Sequence, residues 1–74
     1  MELTMLPMGK SAIIAGLRAK GPARRRLLDL GMVPTTIIEA VRKSPAGDPV
    51  AYKVRETIIA LRSEESRLIT VQLQ

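Results

Sequence analysis

Turn-forming residues cut this sequence into short segments, and no other feature restricts its possible folds as strongly. Glycine and proline recur together at Gly21-Pro22, between Gly31 and Pro34, and between Pro45 and Pro49. Both residues interrupt regular structure, glycine through its conformational freedom and proline through its fixed φ and missing N–H. The longest uncharged run near the start, Ser11 to Leu17, is framed by Lys10 and Arg18 and is far shorter than the ~20 apolar residues of a membrane span. The chain is therefore expected to fold from several short elements.

One segment has the periodicity of a helix. Ala23, Leu27 and Leu30 recur at intervals of four and three residues, which places them on one stripe of a helix from Ala23 to Leu30. Gly31 follows the last apolar position, where a glycine in the left-handed region commonly ends a helix. Pro34 then prevents the helix from restarting. The pattern predicts a helix of about two turns with a glycine cap.

Most other apolar segments have the length and composition of β-strands. The predicted strands are Ser11 to Leu17, Thr36 to Lys43, Val50 to Val54, Thr57 to Leu61 and the segment from Ile69 to the end. Alternation of apolar and polar residues predicts that Tyr52 faces the core, and that Ile69, Val71 and Leu73 point inward. Ser63 is the expected N-cap of a single helical turn that ends near Leu68.

Short strands at close spacing favour a small barrel over a sandwich, because a sandwich of this length would leave long open edges. The predicted fold is mainly β, a barrel of about five strands with one short helix between the first and second strands. Four residues are assigned to turns and caps: Gly31, Pro34, Gly47 and Pro49. Isoleucine, leucine and valine fill 21 of the 74 positions, which suffices for one small core. Residues 1–74 are therefore predicted to form a single domain.

The composition argues against catalysis and metal binding. The chain has no cysteine and no histidine. It therefore lacks thiolate nucleophiles, imidazole bases, and the sulfur and nitrogen ligands that usually bind zinc. Its seven carboxylates are scattered, and the one adjacent pair, Glu64-Glu65, does not converge because neighbours on a helix do not face each other. No catalytic residue, no metal site and no cofactor is predicted, and the chain is not expected to be an enzyme.

The charge is positive and unevenly distributed. The net charge is +5, and residues 1–43 carry eight basic and three acidic side chains, whereas residues 44–74 carry four of each. Arg24, Arg25 and Arg26 fall in the first turn of the predicted helix, where the helix dipole disfavours cations by a few tenths of a kcal/mol each. An interaction surface for an acidic partner explains this placement. The less favoured explanation is that the three side chains are exposed and screened by salt, with stems that cover apolar surface.

Nucleic acid is a less favoured acidic partner. Single-strand and RNA modules built on small barrels usually stack bases on several aromatic side chains. This chain has one aromatic residue, Tyr52, and its strand position predicts that it lies in the core. Binding to backbone phosphates through arginine and lysine stays an alternative.

Several segments in a fixed order resemble those of the FeoA family. They are RLLDLGMVP from Arg26 to Pro34, PAGDPV from Pro45 to Val50, IALR from Ile59 to Arg62 and ITV from Ile69 to Val71. FeoA proteins are small cytoplasmic accessory proteins of bacterial ferrous-iron uptake with an SH3-like barrel. The resemblance covers essentially the whole chain, beginning at Leu6.

Two positions depart from the family pattern. The family commonly has glycine after the first-turn proline, where this chain has Thr35, and between the third and fourth strands, where it has Glu56. Threonine resists the positive φ of a type II turn, so a type I turn or an altered register is expected at Thr35. A tight hairpin at Arg55-Glu56 is expected to strain a residue that carries a Cβ atom.

The resemblance implies a cytoplasmic location and a partner, the large FeoB-type membrane permease with a cytosolic GTP-binding domain. It implies neither an enzyme nor an iron site in the small protein, and no oligomeric state. Arg24, Arg25 and Arg26 are the candidate contacts to that partner. The same barrel also forms a C-terminal module of iron-dependent repressors, so a regulatory module of that kind is the alternative, because a fold does not by itself determine a function.

Overall fold

The computed structural model describes residues 1–74, which form five antiparallel strands, two helices and a short 3-10 turn. In chain order the elements are the 3-10 turn Leu3–Met5, β1 Ser11–Leu17, α1 Gly21–Asp29, β2 Ile37–Lys43, β3 Val50–Val54, β4 Thr57–Leu61, α2 Ser63–Ser66 and β5 Ile69–Leu73. The strands form one sheet in the order β4-β3-β2-β1-β5. The predicted fold class is confirmed, including the helix between the first and second strands.

Two interruptions of register curl this sheet around its core. One lies between Ile14 and Gly16 in the pairing of β1 with β5, and the other between Ala40 and Arg42 in the pairing of β2 with β3. An extra residue on one strand bends that strand and increases its twist. Curling by these bulges brings the inner faces of all five strands around a common interior.

The interior contains fourteen buried apolar residues. They are Leu3, Leu6, Ala12, Ile14, Ala19, Leu27, Met32, Ile38, Ala40, Tyr52, Val54, Leu61, Ile69 and Val71. Tyr52, Ile69 and Val71 lie inside as the alternation predicts. The prediction for Leu73 is wrong, because this side chain is 59% exposed. It ends β5, beyond the buried part of the strand.

Helix α1 differs from the sequence prediction at its start. It begins at Gly21, two residues earlier than expected, because Pro22 occupies the first turn, where its fixed φ and missing N–H do no harm. Leu27 is the one buried residue of the helix. Ala23 is exposed, so the predicted apolar stripe does not extend to it. The helix is anchored to the barrel by its C-terminal half, and its first turn faces solvent.

The C-terminus of α1 has the geometry of a Schellman motif. Gly31 has φ +97°, its N–H donates to the carbonyl of Leu28 at 3.0 Å, and the N–H of Met32 donates to the carbonyl of Leu27 at 3.0 Å. These two bonds satisfy carbonyl groups that the helix leaves without an internal partner. The motif also directs the chain from the helix into the buried position of Met32.

The turn after the helix corrects the expectation for Thr35. The N–H of Thr36 donates to the carbonyl of Val33 at 3.1 Å, and Thr35 has φ +74°, as the third residue of a type II turn does. A type I turn was therefore the wrong expectation. The reason lies in β1, because Ile14 accepts a hydrogen bond from the N–H of Thr35 at 2.7 Å and donates one to the carbonyl of Thr36 at 2.9 Å.

Two further turns place the remaining strands. In the two-residue loop between β3 and β4, the positive φ of +58° belongs to Arg55 and not to Glu56. In the loop between β2 and β3, Gly47 has φ +89° and its N–H donates to the carbonyl of Ser44 at 2.8 Å. The Asp48-Pro49 peptide bond in this loop is cis.

The first residue of α2 is bonded to that loop. Ser63 is not the N-cap as predicted, because Arg62 occupies that position and Ser63 is already helical. The N–H of Ser63 donates to Oδ1 of Asp48 at 2.8 Å. A carboxylate from a distant loop thus satisfies an N–H at the start of the helix, which a capping side chain within the helix would otherwise do.

Candidate partner-binding surface

Helix α1 presents its basic side chains because only its C-terminal half is anchored. Leu27 is buried in the core, and Leu28 and Leu30 are partly covered. All residues from 20 to 26 are exposed. The three predicted contact residues, Arg24, Arg25 and Arg26, are therefore at the surface together.

The three arginines have different electrostatic surroundings. Arg26 forms an ion pair with Glu65 of α2, and Glu65 is the less exposed member of the pair. Arg25 lies 3.8 Å from the carboxylate of Asp29, and both side chains are more than two-thirds exposed, so solvent screens most of this attraction. Arg24 forms no ion pair within 4.0 Å. Arg24 and Arg25 are thus the cations that an acidic partner reaches without displacing a close internal ion pair.

The helix dipole opposes fewer of these cations than the sequence indicated. Because α1 begins at Gly21, Arg24 is the fourth helical residue and Arg26 belongs to the last turn. The dipole favours cations in the last turn of a helix, so the prediction that it disfavours Arg26 is wrong. Its pairing with Glu65 supplies a structural role that the sequence did not reveal, since the two residues lie far apart in the chain.

Lys20 extends the basic surface of α1. It is the N-cap residue of the helix, and its side chain is exposed. Residues 20 to 26 are all exposed, so Lys20 adds an exposed cation at the start of the helix, before Arg24. Arg18 does not join them as a free cation, because its Nη1 lies 3.2 Å from Oε2 of Glu2. We call Lys20, Arg24 and Arg25 the α1 basic surface.

The single aromatic side chain is unavailable for stacking on a ligand. Tyr52 is 2% exposed and packs in the barrel interior. Burial raises the pKa of its phenol above the ordinary value of 10.0; a hydrogen bond with Ser66 lowers it, and the nearby Asp48 carboxylate raises it. The surface therefore offers no aromatic platform to a nucleic-acid base.

The acidic residues do not assemble into a cluster. No group of three or more histidine, cysteine, aspartate or glutamate side chains is placed to hold a metal ion. Asp48 and Glu65 are used in contacts that join parts of the fold, to Ser63 and Arg26 respectively. Neither helix has the length and apolar character needed to cross a bilayer.

The curled five-stranded sheet with a short helix after its first strand defines a small SH3-like barrel. A crystal structure of Stenotrophomonas maltophilia FeoA complexed with zinc, described as a prokaryotic SH3 domain protein, superposes with a TM-score of 0.86. It is 33% identical, and the match covers 97% of this chain and 89% of that one. The crystal structure of T. acidophilum IdeR also superposes with a TM-score of 0.86, but at 20% identity this likeness concerns the fold alone.

The family model described as the FeoA domain matches residues 1–73, and the chain belongs to that family. The solution structure of iron(II) transport protein A from Clostridium thermocellum has a TM-score of 0.94 and 37% identity, with 99% of this chain and 45% of that chain covered. An Fe(2+) transport protein A/Fe(2+) transporter FeoB fusion protein of Porphyromonas gingivalis is 34% identical over 73 residues. This chain spans only 9% of the length of that fusion protein.

Proposed function

We propose that this chain is a non-enzymatic, cytoplasmic accessory protein that binds a FeoB-type ferrous-iron permease from the cytosolic side and regulates it. The observation that carries the proposal is the fusion protein of Porphyromonas gingivalis, in which a homologous segment and a FeoB transporter share one polypeptide. Tethering two modules raises their effective concentration, which helps a weak association to form. The same association between separate chains requires a recognition surface.

The α1 basic surface is the proposed recognition surface. Lys20 and Arg24 make no internal ion pair, and Arg25 makes only an exposed one with Asp29. An acidic patch on the cytosolic part of the permease would therefore bind these residues without a large cost from breaking contacts inside the barrel. Arg26 adds positive charge nearby, but its pairing with Glu65 makes it a poorer contact than Arg24 or Arg25.

The proposal is tested by reversing two charges on α1. The double variant Arg24→Glu, Arg25→Glu is expected to fold with nearly unchanged melting temperature. A glutamate near the start of the helix is favoured by the dipole, and the new repulsion between position 25 and Asp29 costs only about 0.2–0.5 kcal/mol. Its affinity for the solubilised permease is expected to fall at least about tenfold, mainly through a slower association rate.

A matched variant separates this surface from general charge attraction. Arg42→Glu, Lys43→Glu changes the net charge by the same amount at two exposed positions of β2 that form no ion pair. It is expected to bind the permease within about threefold of the wild type. Equal losses in the two variants would show that only net charge matters. An unchanged affinity for the α1 variant would show that α1 is not the contact.

A further inference from the structure

The sheet has one edge that nothing in the chain covers. β4 pairs with β3 on one side and with no strand on the other. None of the backbone hydrogen bonds outside the helices and strands involves Ile58, Ile59 or Ala60. An open edge of this kind presents free N–H and C=O groups to any extended chain that approaches it.

The pairing of β3 with β4 determines which groups are free. Val54 and Thr57 flank a two-residue loop, so they form a hydrogen-bonded pair, and such pairs alternate along an antiparallel ladder. Thr57, Ile59 and Leu61 therefore bond to β3. The N–H and C=O groups of Ile58 and Ala60 point away from the sheet, toward solvent.

This edge lacks the usual protection against pairing. Its five residues, TIIAL, include no charge and no proline, and the register with β3 has no bulge. The side chain of Ile58 is 58% exposed. The opposite edge differs, because Glu2 forms a bridge with Thr70 and the carbonyl of Met1 accepts a hydrogen bond from the N–H of Val71 at 2.8 Å.

We propose that β4 is a self-association surface, on which a second copy of this chain adds its own β4 antiparallel to the first. In the proposed register, Ile58 lies opposite Ala60 of the second copy, and Ala60 lies opposite Ile58 of the second copy. Each of these pairs exchanges two N–H···O bonds. A two-fold axis passes beside Ile59, so the same patch serves both copies, as in a closed dimer.

Charge complementarity selects the second copy as the occupant and fixes this register. When Ile58 faces Ala60 of the second copy, Glu56 at one end of β4 faces Arg62 of the second copy at the other end, and the arrangement occurs twice. Glu56 forms no ion pair within its own chain, and Arg62 forms only a long one, 3.7 Å from Oδ2 of Asp48. Shifting the strand by two residues in either direction loses this match.

The association is expected to be weak and reversible. The paired segment is only five residues long, far smaller than the interfaces of permanent dimers. Each copy also carries a net charge of +5, which opposes the approach of two copies over the screening length of about 8 Å at physiological salt. A rapidly exchanging dimer at high protein concentration is the expected behaviour.

Sedimentation and amide exchange of the purified chain test the surface. Between about 10 µM and about 1 mM, the average mass is expected to rise toward that of a dimer. Over the same range, the amide hydrogens of Ile58 and Ala60 are expected to become slower to exchange. Ile58→Lys is expected to weaken the dimer at least about tenfold, because it places like charges at the edge.

Ile37→Lys is the matched control for that variant. Ile37 is 51% exposed and lies on β2, a strand paired on both sides, so the same substitution should leave the dimer unchanged within about twofold. A chain that stays monomeric throughout the concentration range would overturn the proposal. So would an equal loss in both lysine variants, which would place self-association on another surface.

Charge exchange tests the register. Glu56→Arg and Arg62→Glu are each expected to remain monomeric, because each places like charges opposite each other twice. An equimolar mixture of the two variants is expected to dimerise, because every facing pair is then opposite in charge. Failure of the mixture, with both variants folded, would contradict this register. None of these self-association measurements includes the permease, so their outcome is independent of the proposed function.

A permease-binding measurement on the same variant separates the two proposals. An Ile58→Lys chain that self-associates normally but no longer binds the permease would assign β4 to that partner instead.

Discussion

Thr35 holds a backbone conformation that rarely suits its side chain. Its φ of +74° lies in the left-handed region, where a β-branched residue is crowded by its own backbone. Two hydrogen bonds with Ile14 keep the turn in this conformation despite the cost. The conformation of Thr35 therefore lowers the stability of the folded state, and contacts elsewhere in the barrel offset this cost.

Relieving that strain is expected to stabilise the protein. Thr35→Gly removes a left-handed cost of about 1–2 kcal/mol and adds a glycine entropy cost of about 0.5–1 kcal/mol, so the free energy of unfolding should rise, by up to about 1.5 kcal/mol. Urea denaturation measures the change. Thr36→Gly is the control, since Thr36 has no positive φ and its replacement should destabilise the protein. A lower free energy of unfolding for Thr35→Gly than for the wild type would show that Thr35 is not strained.

Tyr52 is expected to make stability depend on alkaline pH. Because burial raises the pKa of the phenol, it stays neutral in the folded state at pH values where the unfolded chain ionises it, above about 10. The unfolded state then binds fewer protons, so this contribution is complete below pH 10 and is lost as pH rises further. Denaturation between about pH 8 and 11 should show a smaller loss of stability for Tyr52→Phe than for the wild type. Tyr52 is the sole tyrosine, so an absorbance titration reports its pKa directly, and a value at or below 10 would refute the argument.

At the scale of elements, the cap of α1 depends on the backbone conformation of Gly31 more than on space. A Cβ atom added there would lie 3.6 Å from Cγ1 of Val54, an ordinary contact, but φ is +97°. Gly31→Val is therefore expected to lower the free energy of unfolding by at least ~1 kcal/mol, which corresponds to about 4–8 °C in melting temperature for a domain of this size. Gly31→Asn should cost less, because asparagine tolerates this region. Equal melting temperatures for the wild type and Gly31→Val would refute the capping role.

Elements were predictable where a local pattern decided them, and not where a distant residue did. The alternation in β3 located Tyr52 inside, because successive side chains on a strand point to opposite faces whatever surrounds them. The turn at Thr35 was mispredicted because its conformation depends on β1, and the start of α2 because Asp48 binds its first N–H. Neither contact can be predicted from the residues that surround the turn or the start of the helix.

The same distinction applies to the whole molecule and its candidate surfaces. Periodicity predicted the helix that carries Arg24, Arg25 and Arg26, but the pairing of Arg26 with Glu65 required the two helices to be placed in space. The open edge at β4 was also hidden, since a short apolar run such as TIIAL fits a central strand as well as an edge strand. Only the strand order shows that nothing lies beyond it.

The order of strands also determines when the chain can fold during its synthesis. β1, the first strand of this domain in chain order, has β2 on one side and β5, its last strand in chain order, on the other. Ile69 and Val71 of β5 are completely buried, so the interior of the barrel stays unfilled until the ribosome has made β5. Pairing between the ends of a chain is slow compared with local helix formation, because the entropy of closing the long loop is lost before the contacts form. The nascent barrel is therefore exposed to chaperones and proteases until β5 emerges from the ribosome.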